Sequence, residues 1–466
     1  LIWAAVAWAP VVFAESSKPG CPAKQHCISR EGLVKEAFCK VDTVKGGTAG
    51  VLAIVWETLK GPACLGMRYL SAGESHGPAL VGIIEGLPAG LTIKEDYINQ
   101  QLVRRQGGYG RGGRMSIEKD RIKILSGVRF GKTTGSPLAL LIENKDWLNW
   151  QKVMSPDPLD ETGERKVTSP RPGHADLAGG IKYFHRDLRN VLERASARET
   201  AMRVAVGSIA SLLLAHFHII SAGFVVAVGD VSASPRGSEL RASVIKEKTA
   251  NSLFYCLDGE AEQLMREKID QARKRGDTLG GVFEVLVEGL PPGIGSHVHW
   301  DRRLDGRLAG ALMSIPGIKG VEIGLGFSAA GRPGSLVHDA IVLDDHNKIS
   351  RSANHAGGLE GGITNGQAVI LRAAMKPIPT LKKALPSIDL ATGKIKDAAV
   401  ERSDICAVPA ASVVGEAVVA WEIAKAFMEK FSGDSMAEVE MAWHNYMELA
   451  KRYLGGNKGI QDIGEM

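Results

Sequence analysis

Glu85-Gly-Leu-Pro-Ala-Gly90 recurs later in the chain as Glu288-Gly-Leu-Pro-Pro-Gly293. Each copy follows an apolar run, Val81–Ile84 in the first and Val285–Val287 in the second. Each precedes a helix-like stretch with adjacent arginines, Arg104-Arg105 and Arg302-Arg303. An apolar run closed by glycine and proline reads as a strand ending in a tight turn. Strand, turn and helix in the same order twice predict two halves related by a pseudo-twofold axis. Chance recurrence of a good strand-end turn is the alternative. The duplicated reading makes the body one integrated α/β (α+β) domain, not a string of modules.

Working outward, residues 79–84 are strand-like. Residues 94–105 are helix-like, with Thr92 and Glu95 spaced as a capping box. Residues 121–130 and 138–143 read as strands on either side of the turn Gly131-Lys-Thr-Thr-Gly-Ser-Pro137. Residues 177–216 carry one long helical pattern, with Met202, Val206, Ile209 and Leu213 as its apolar stripe. Residues 261–276 read as a charged, solvent-facing helix, and 415–450 as one or two closing helices. After Met67 no apolar stretch reaches the length of a membrane-spanning helix, so no membrane partner is expected.

The chain of 466 residues is 44% hydrophobic and 23% charged, ordinary values for a globular protein. Its net charge of +5 is too mild to demand nucleic acid, although clustered arginines suit a small polyanion. The 55 glycines show no collagen period and suggest tight turns and close backbone approach to ligands. Cys21, Cys27, Cys39 and Cys64 precede the body, which keeps only Cys256 and Cys406. That is no disulfide framework and fits a reducing compartment, the cytoplasm. The spacing of Cys21, His26, Cys27 and Cys39 matches none of the usual zinc patterns, so no metal site is expected.

Residues 1–66 show neither period nor motif. They read as an extension outside the catalytic fold, a targeting segment, or upstream sequence joined to a chain that starts at Met67. The expected division is 1–66 as extension, 67–440 as catalytic domain and 441–466 as closing helix and tail.

Seven segments carry chemistry. Gly73-Glu-Ser-His-Gly77 has the spacing of a serine nucleophile elbow, but that elbow needs a following helix. Pro78 and a strand follow instead, which moves the weight from Ser75 to His76 as a proton donor or acceptor. Arg104-Arg-Gln-Gly-Gly-Tyr-Gly-Arg-Gly-Gly-Arg114 sets guanidinium forks on a glycine-rich loop, suited to carboxylates and phosphates. A solvated loop or a single R-G-G RNA contact are the other readings of that segment. Ser169-Pro-Arg-Pro-Gly-His-Ala-Asp176 holds His174 before a helix start. Glu193-Arg-Ala-Ser-Ala-Arg198 places two arginines one turn apart, with small residues between them. Asn354 to Asn365, Lys376-Pro-Ile-Pro-Thr380 and Arg402-Ser-Asp404 form the last group. The combination of arginines, histidines and a carboxylate, without a cysteine nucleophile or metal cluster, reads as acid–base chemistry on a polyanion.

Taken in order, these motifs resemble the chorismate synthase family. The resemblance rests on Met67-Arg-Tyr-Leu-Ser-Ala-Gly-Glu-Ser-His-Gly77, Arg171-Pro-Gly-His-Ala-Asp176, Glu193-Arg-Ala-Ser-Ala-Arg-Glu-Thr-Ala201, Gly357-Gly-Leu-Glu-Gly-Gly-Ile-Thr-Asn-Gly366, Met375-Lys-Pro-Ile-Pro-Thr380 and Arg402-Ser-Asp-Ile-Cys-Ala-Val-Pro-Ala-Ala411. It runs from Met67 to about residue 430.

The resemblance implies conversion of 5-enolpyruvylshikimate 3-phosphate to chorismate and phosphate, in the shikimate pathway of aromatic amino acid biosynthesis. It implies a need for reduced FMN, a β–α–β sandwich with internal pseudo-twofold symmetry, and a homotetramer. NADPH is the candidate reductant. By the same carry-over, His76 protonates the leaving phosphate and His174 sits at the flavin's N1–C2 edge. Asp404 relays the C6 proton to flavin N5. Arg105, Arg111, Arg171 and Arg402 neutralise the substrate, with Arg105 and Arg111 equally assignable to NADPH. Flavin contacts come from Arg194, Ala195, Ser196, Pro316, Gly317, Gly361, Lys376, Pro377, Ile378, Pro379, Thr380 and Arg402. Pro316-Gly317 departs from the small pair that relatives often carry there.

Overall fold

The computed structural model describes residues 66–113, 118–234, 240–345, 347–401 and 403–455. They belong to one compact unit that begins at Leu65. Four strands, β1 (Arg68–Ala72), β2 (Ala79–Glu85), β3 (Ile122–Ser126) and β4 (Leu138–Glu143), form an antiparallel sheet ordered β1-β2-β4-β3. Leu80 and Ile84 on β2 alternate with more exposed residues, as do Leu138, Leu140 and Ile142 on β4. That period of two turns one face of the sheet inward.

Helix α1 (Glu95–Gln106) packs on α4 (Thr200–His216), which lies across β1 and β2, while α2 (Asp176–Tyr183) and α3 (Arg189–Ala195) pack on each other. A second sheet holds β5 (Ile220–Val228), β6 (Val231–Ser232), β7 (Gly281–Glu288), β8 (Ile318–Ile323) and β9 (Val369–Met375). Its order is β8-β9-β7-β5-β6. The remaining helices are α5 (Ala242–Thr249), α6 (Gly259–Arg275), α7 (Leu304–Met313), α8 (Val408–Lys430) and α9 (Met436–Leu454). Helix α8 packs on α4, α7, β5 and β7, so helices fill the space between the sheets. Burial on almost every side of α8 explains its lack of a polar face. Val413, Val419, Ile423 and Phe427 are buried there, each contributing about 1.5–3 kcal/mol.

The pseudo-twofold is visible in the strand orders. Read in corresponding directions, β1-β2-β4-β3 matches β5-β7-β9-β8. Each Glu-Gly-Leu-Pro segment closes the second strand of its half, with Gly86 at φ 84° and Gly289 at φ 85°. Left-handed φ is what glycine supplies without steric cost. Each turn is then clasped by a threonine from a two-residue strand. Gly90 N–H donates to the Thr133 carbonyl at 2.9 Å, and Gly293 N–H to that of Thr364 at 2.8 Å. The Thr133 hydroxyl donates to the Pro88 carbonyl and that of Thr364 to Pro291, both at 2.6 Å.

Several local expectations need correction. The 177–216 pattern is three helices, not one. Phe184 ends α2 in a left-handed conformation, and extended Ser196 ends α3. Lys94, not Thr92, caps α1, without a side-chain bond, because Thr92 is engaged in a bridge with Lys132. Arg104-Arg105 lies at the end of α1, whereas Arg302-Arg303 lies before α7, so the two pairs are not equivalent. The closing region is two helices, and the first starts at Val408. The expected boundary at 440 falls inside α9, where Trp443 packs on Phe217, Phe427 and Phe431. Residues 1–65, including Cys21, His26, Cys27 and Cys39, lie outside the described residues. Among the described residues no helix is long and apolar enough to cross a membrane.

Candidate active site

The loop between β1 and β2 is Gly73–Gly77, and it is gripped from three directions. Glu193 on α3 accepts the Ser75 N–H on its carbonyl at 3.0 Å and the His76 N–H on its carboxylate at 2.8 Å. The same carboxylate meets His76 Nδ1 at 2.9 and 3.0 Å. Asn144, just after β4, donates to the Glu74 and Gly77 carbonyls at 3.1 and 2.8 Å. The Arg194 guanidinium donates to the Ser71 and Gly73 carbonyls. Trp150 stacks on the His76 ring with centroids 3.9 Å apart. A strand follows Ser75 at Ala79, not the helix of a nucleophile elbow.

His174 is held by a different carboxylate. Asp176, the first residue of α2, is fully buried. Its Oδ1 meets His174 Nδ1 at 2.6 Å, and its Oδ2 accepts from Arg171 Nε at 2.8 Å. Burial works against the charged Asp176 carboxyl, but the bonds from His174 and Arg171 outweigh it and hold the group well below the usual carboxylate range. Arg171 Nη1 also donates to the Thr380 hydroxyl at 2.9 Å, which ties this cluster to the Lys376–Thr380 segment.

A third cluster is cationic. Arg105, at the end of α1, donates to the Thr200 hydroxyl at 2.9 Å and the Ala197 carbonyl at 2.7 Å. Burial, with Arg111 and Arg198 nearby and only Asp120 opposing strongly, lowers it to about 10. It stays charged at neutral pH. Its Nη1 is buried with no hydrogen-bond acceptor among the described residues, and Asp120 Oδ2 is 3.8 Å away. Arg198 takes the nearer position on Asp120, at 2.6 and 2.7 Å. Arg111 pairs with Asp404, whose other oxygen accepts the Gly112 N–H at 2.6 Å.

These clusters line one cavity of about 550 Å³. Of the expected residues it brings together His76, His174, Asp404, Arg105, Arg111, Arg171, Ala195, Ser196, Pro316, Gly317 and 376–380. Two of the residues expected at the flavin do not line it. Arg194 turns to the β1 end, and Gly361 lies in the turn between Leu359–Glu360 and Ile363–Thr364. Arg402 lies outside the described residues. Arg194 and Arg198 do not share a helix face, because α3 ends between them. The glycine-rich 354–365 run does not reach the cavity, and it supports the Thr364 clasp instead.

Sequence reasoning missed Glu193, Asp176, Asp120, Asn144 and Trp150 as parts of this arrangement. Asp176 carried a signal, being a carboxylate two residues after His174 at a helix start. The partners of His76 lie far along the chain and carried none.

A mixed α/β fold of duplicated topology thus presents one cavity with two carboxylate-anchored histidines among buried arginines, the groups that acid–base chemistry on a small polyanion would need. The family model described as Chorismate synthase matches residues 67–428. The Desulforamulus reducens protein named chorismate synthase is 58% identical over 386 residues, covering 83% of this chain and all of that protein. That of Geobacter metallireducens is 57% identical over 394 residues with the same coverage. A crystal structure of chorismate synthase superposes with a TM-score of 0.67 at 44% identity, covering 83% of this chain and 98% of that one. The chain belongs to the chorismate synthase family. It is accordingly a lyase of aromatic amino acid biosynthesis acting on a small-molecule substrate.

Proposed function

We propose that this cavity takes 5-enolpyruvylshikimate 3-phosphate and releases chorismate and inorganic phosphate by anti 1,4-elimination, with reduced FMN bound beside the substrate. The observation that carries the reading is the buried Arg105 guanidinium. It lines the cavity, keeps its charge and has an Nη1 with no acceptor among the described residues, as suits an anion site. A cavity of about 550 Å³ lies in the range of ligand and cofactor sites.

Arg105, Arg111 and Arg171 bind and orient the phosphate and carboxylates, and the family motif assigns Arg402 the same role. Arg105 and Arg111 serve NADPH as well where NADPH is the reductant. His76 donates a proton to the phosphate as the bond from C3 breaks, and Asp404 receives the proton lost from C6. Ala195, Ser196, Pro316, Gly317, Lys376 to Thr380 and His174 would hold the flavin. Reduced FMN, when bound, supplies electron density that favours loss of phosphate. Lys376 is itself held by a bond from Nζ to the Gly173 carbonyl, which keeps the 376–380 segment against the His174 loop. The catalytic domain starts at Met67 with 1–66 outside it, and the closing helix α9 runs through the expected boundary at 440 and packs on the domain's core. The assembly is a homotetramer in the cytoplasm.

The test is an anaerobic assay with and without dithionite-reduced FMN. Chorismate formed only with reduced flavin supports the reading. No chorismate under either condition, with the protein folded, overturns it.

A further inference from the structure

We propose that Glu193 is the positioning residue of His76, setting both the place of its loop and the tautomer of its ring. The proposal rests on the reading of His76 as proton donor to the leaving phosphate. Glu193 does not line the cavity, so it acts through the histidine.

Three contacts make the case. The Glu193 carbonyl takes the Ser75 N–H, and its carboxylate takes both the His76 N–H and Nδ1. One residue of α3 thus holds backbone and ring of a loop over a hundred residues earlier. Loss of that clamp removes the bonds that fix the ring's position, and a misplacement of about 1 Å already slows catalysis by about a hundredfold. The carboxylate is almost fully buried. Burial disfavours its charge, but His76 and then Arg189 hold it below its ordinary range, so it is ionised. An ionised carboxylate only accepts hydrogen bonds. Nδ1 therefore carries a hydrogen, and proton exchange with a ligand falls to Nε2.

The surroundings reinforce this orientation. Arg189 Nη1 meets Glu193 at 3.1 Å, and its Nη2 meets Glu401 at 3.1 Å. The stacked Trp150 stops rotation of the ring, and the guanidinium groups of Arg165 and Arg189 lie 4.3 and 5.1 Å from the indole. Glu193 from α3 thus meets His76 directly, with Arg189 and Glu401 behind it and Arg165 over the indole.

The experiment is ¹⁵N NMR of histidine-labelled protein at a pH where the ring is neutral, with the His76 signals assigned by their loss in His76→Gln. Wild-type protein is expected to show His76 as the Nδ1–H tautomer. In Glu193→Gln, whose amide both donates and accepts, the tautomers are expected to mix. Turnover should fall about 10–10⁴-fold, spanning a lost outer-shell partner and a wrong tautomer, with KM changed much less. Glu193→Asp should restore the Nδ1–H form and part of the turnover. A wild-type ring that is not Nδ1–H, or a Glu193→Gln ring that keeps the wild-type tautomer, overturns the proposal. Full turnover in His76→Gln would defeat the acid role of His76, while the spectra would still decide the role of Glu193.

Discussion

Thr133 and Thr364 are structural twins: each accepts one turn N–H on its carbonyl, takes the next on its hydroxyl, and donates that hydroxyl to the proline carbonyl of the turn. Both side chains are buried, so neither can exchange these bonds for water. Replacing either with valine leaves a buried N–H and a carbonyl without partners. Each of Thr133→Val and Thr364→Val is expected to destabilise the protein by about 1–3 kcal/mol, with similar costs in the two halves. Urea unfolding checks it. A large cost at one site with none at the other would separate the twins energetically.

Helices α4 and α8, one from each half, touch at Gly207. A Cβ there would lie 2.3 Å from the Ala417 carbonyl oxygen, which is backbone and cannot swing aside. Gly207→Ala gains in helix propensity yet should destabilise by about 1–3 kcal/mol through overpacking. A denaturation midpoint equal to or above the wild type would show that the helices separate freely.

Glu416 gives the stability a pH dependence of known sign. It is buried in α8, and burial alone would raise it. Arg104 and Lys246 overcome that and lower it from 4.5 to about 2. A carboxylate depressed on folding contributes stability that is full above its ordinary value and lost as pH falls through the folded value. The loss should therefore run from about pH 4.5 down to about 2 and amount to a few kcal/mol. Glu416→Gln should flatten that part of the curve. Equal slopes in wild type and variant, measured by urea unfolding across the acid range, would remove Glu416 as a source.

His174 and Asp176 separate chemistry from folding. His174→Ala removes one bond to the buried Asp176 and should cost about 1 kcal/mol while lowering turnover by about 10²–10⁴-fold. Asp176→Ala leaves the buried Arg171 guanidinium without its carboxylate and should cost about 3–5 kcal/mol as well as activity. Paired melting and turnover measurements decide between the roles. Wild-type turnover in His174→Ala would take the ring out of the chemistry.

Shortening the chain to start at Met67 tests the division of the sequence. Met67 is buried in the core, ahead of β1. A chain beginning there should fold and keep full activity. An insoluble or inactive product would assign residues 1–66 a structural role.

The repeated Glu-Gly-Leu-Pro turn, the strand 138–143 and the stripe on α4 were legible in the sequence because period and turn chemistry are local properties of a chain. So was the meeting of His76, His174, Asp404, Arg105, Arg111 and Arg171 at one cavity, since short motifs carry their residue types with them. The break of 177–216 into three helices was not. Local pattern favours helix throughout, and packing of Val191 and Leu188 on Gly179 and Gly180 bends the chain. Nor did the sequence show which carboxylate serves which histidine. Asp176 is a neighbour of His174 by two residues, but Glu193 reaches His76 only after the chain has formed the first sheet and returned along α3. The sequence by itself determined the histidines and several of the arginines that line the cavity, and the twofold plan. Only the tertiary structure decided the partners, because burial and proximity are set by how distant segments close on one another.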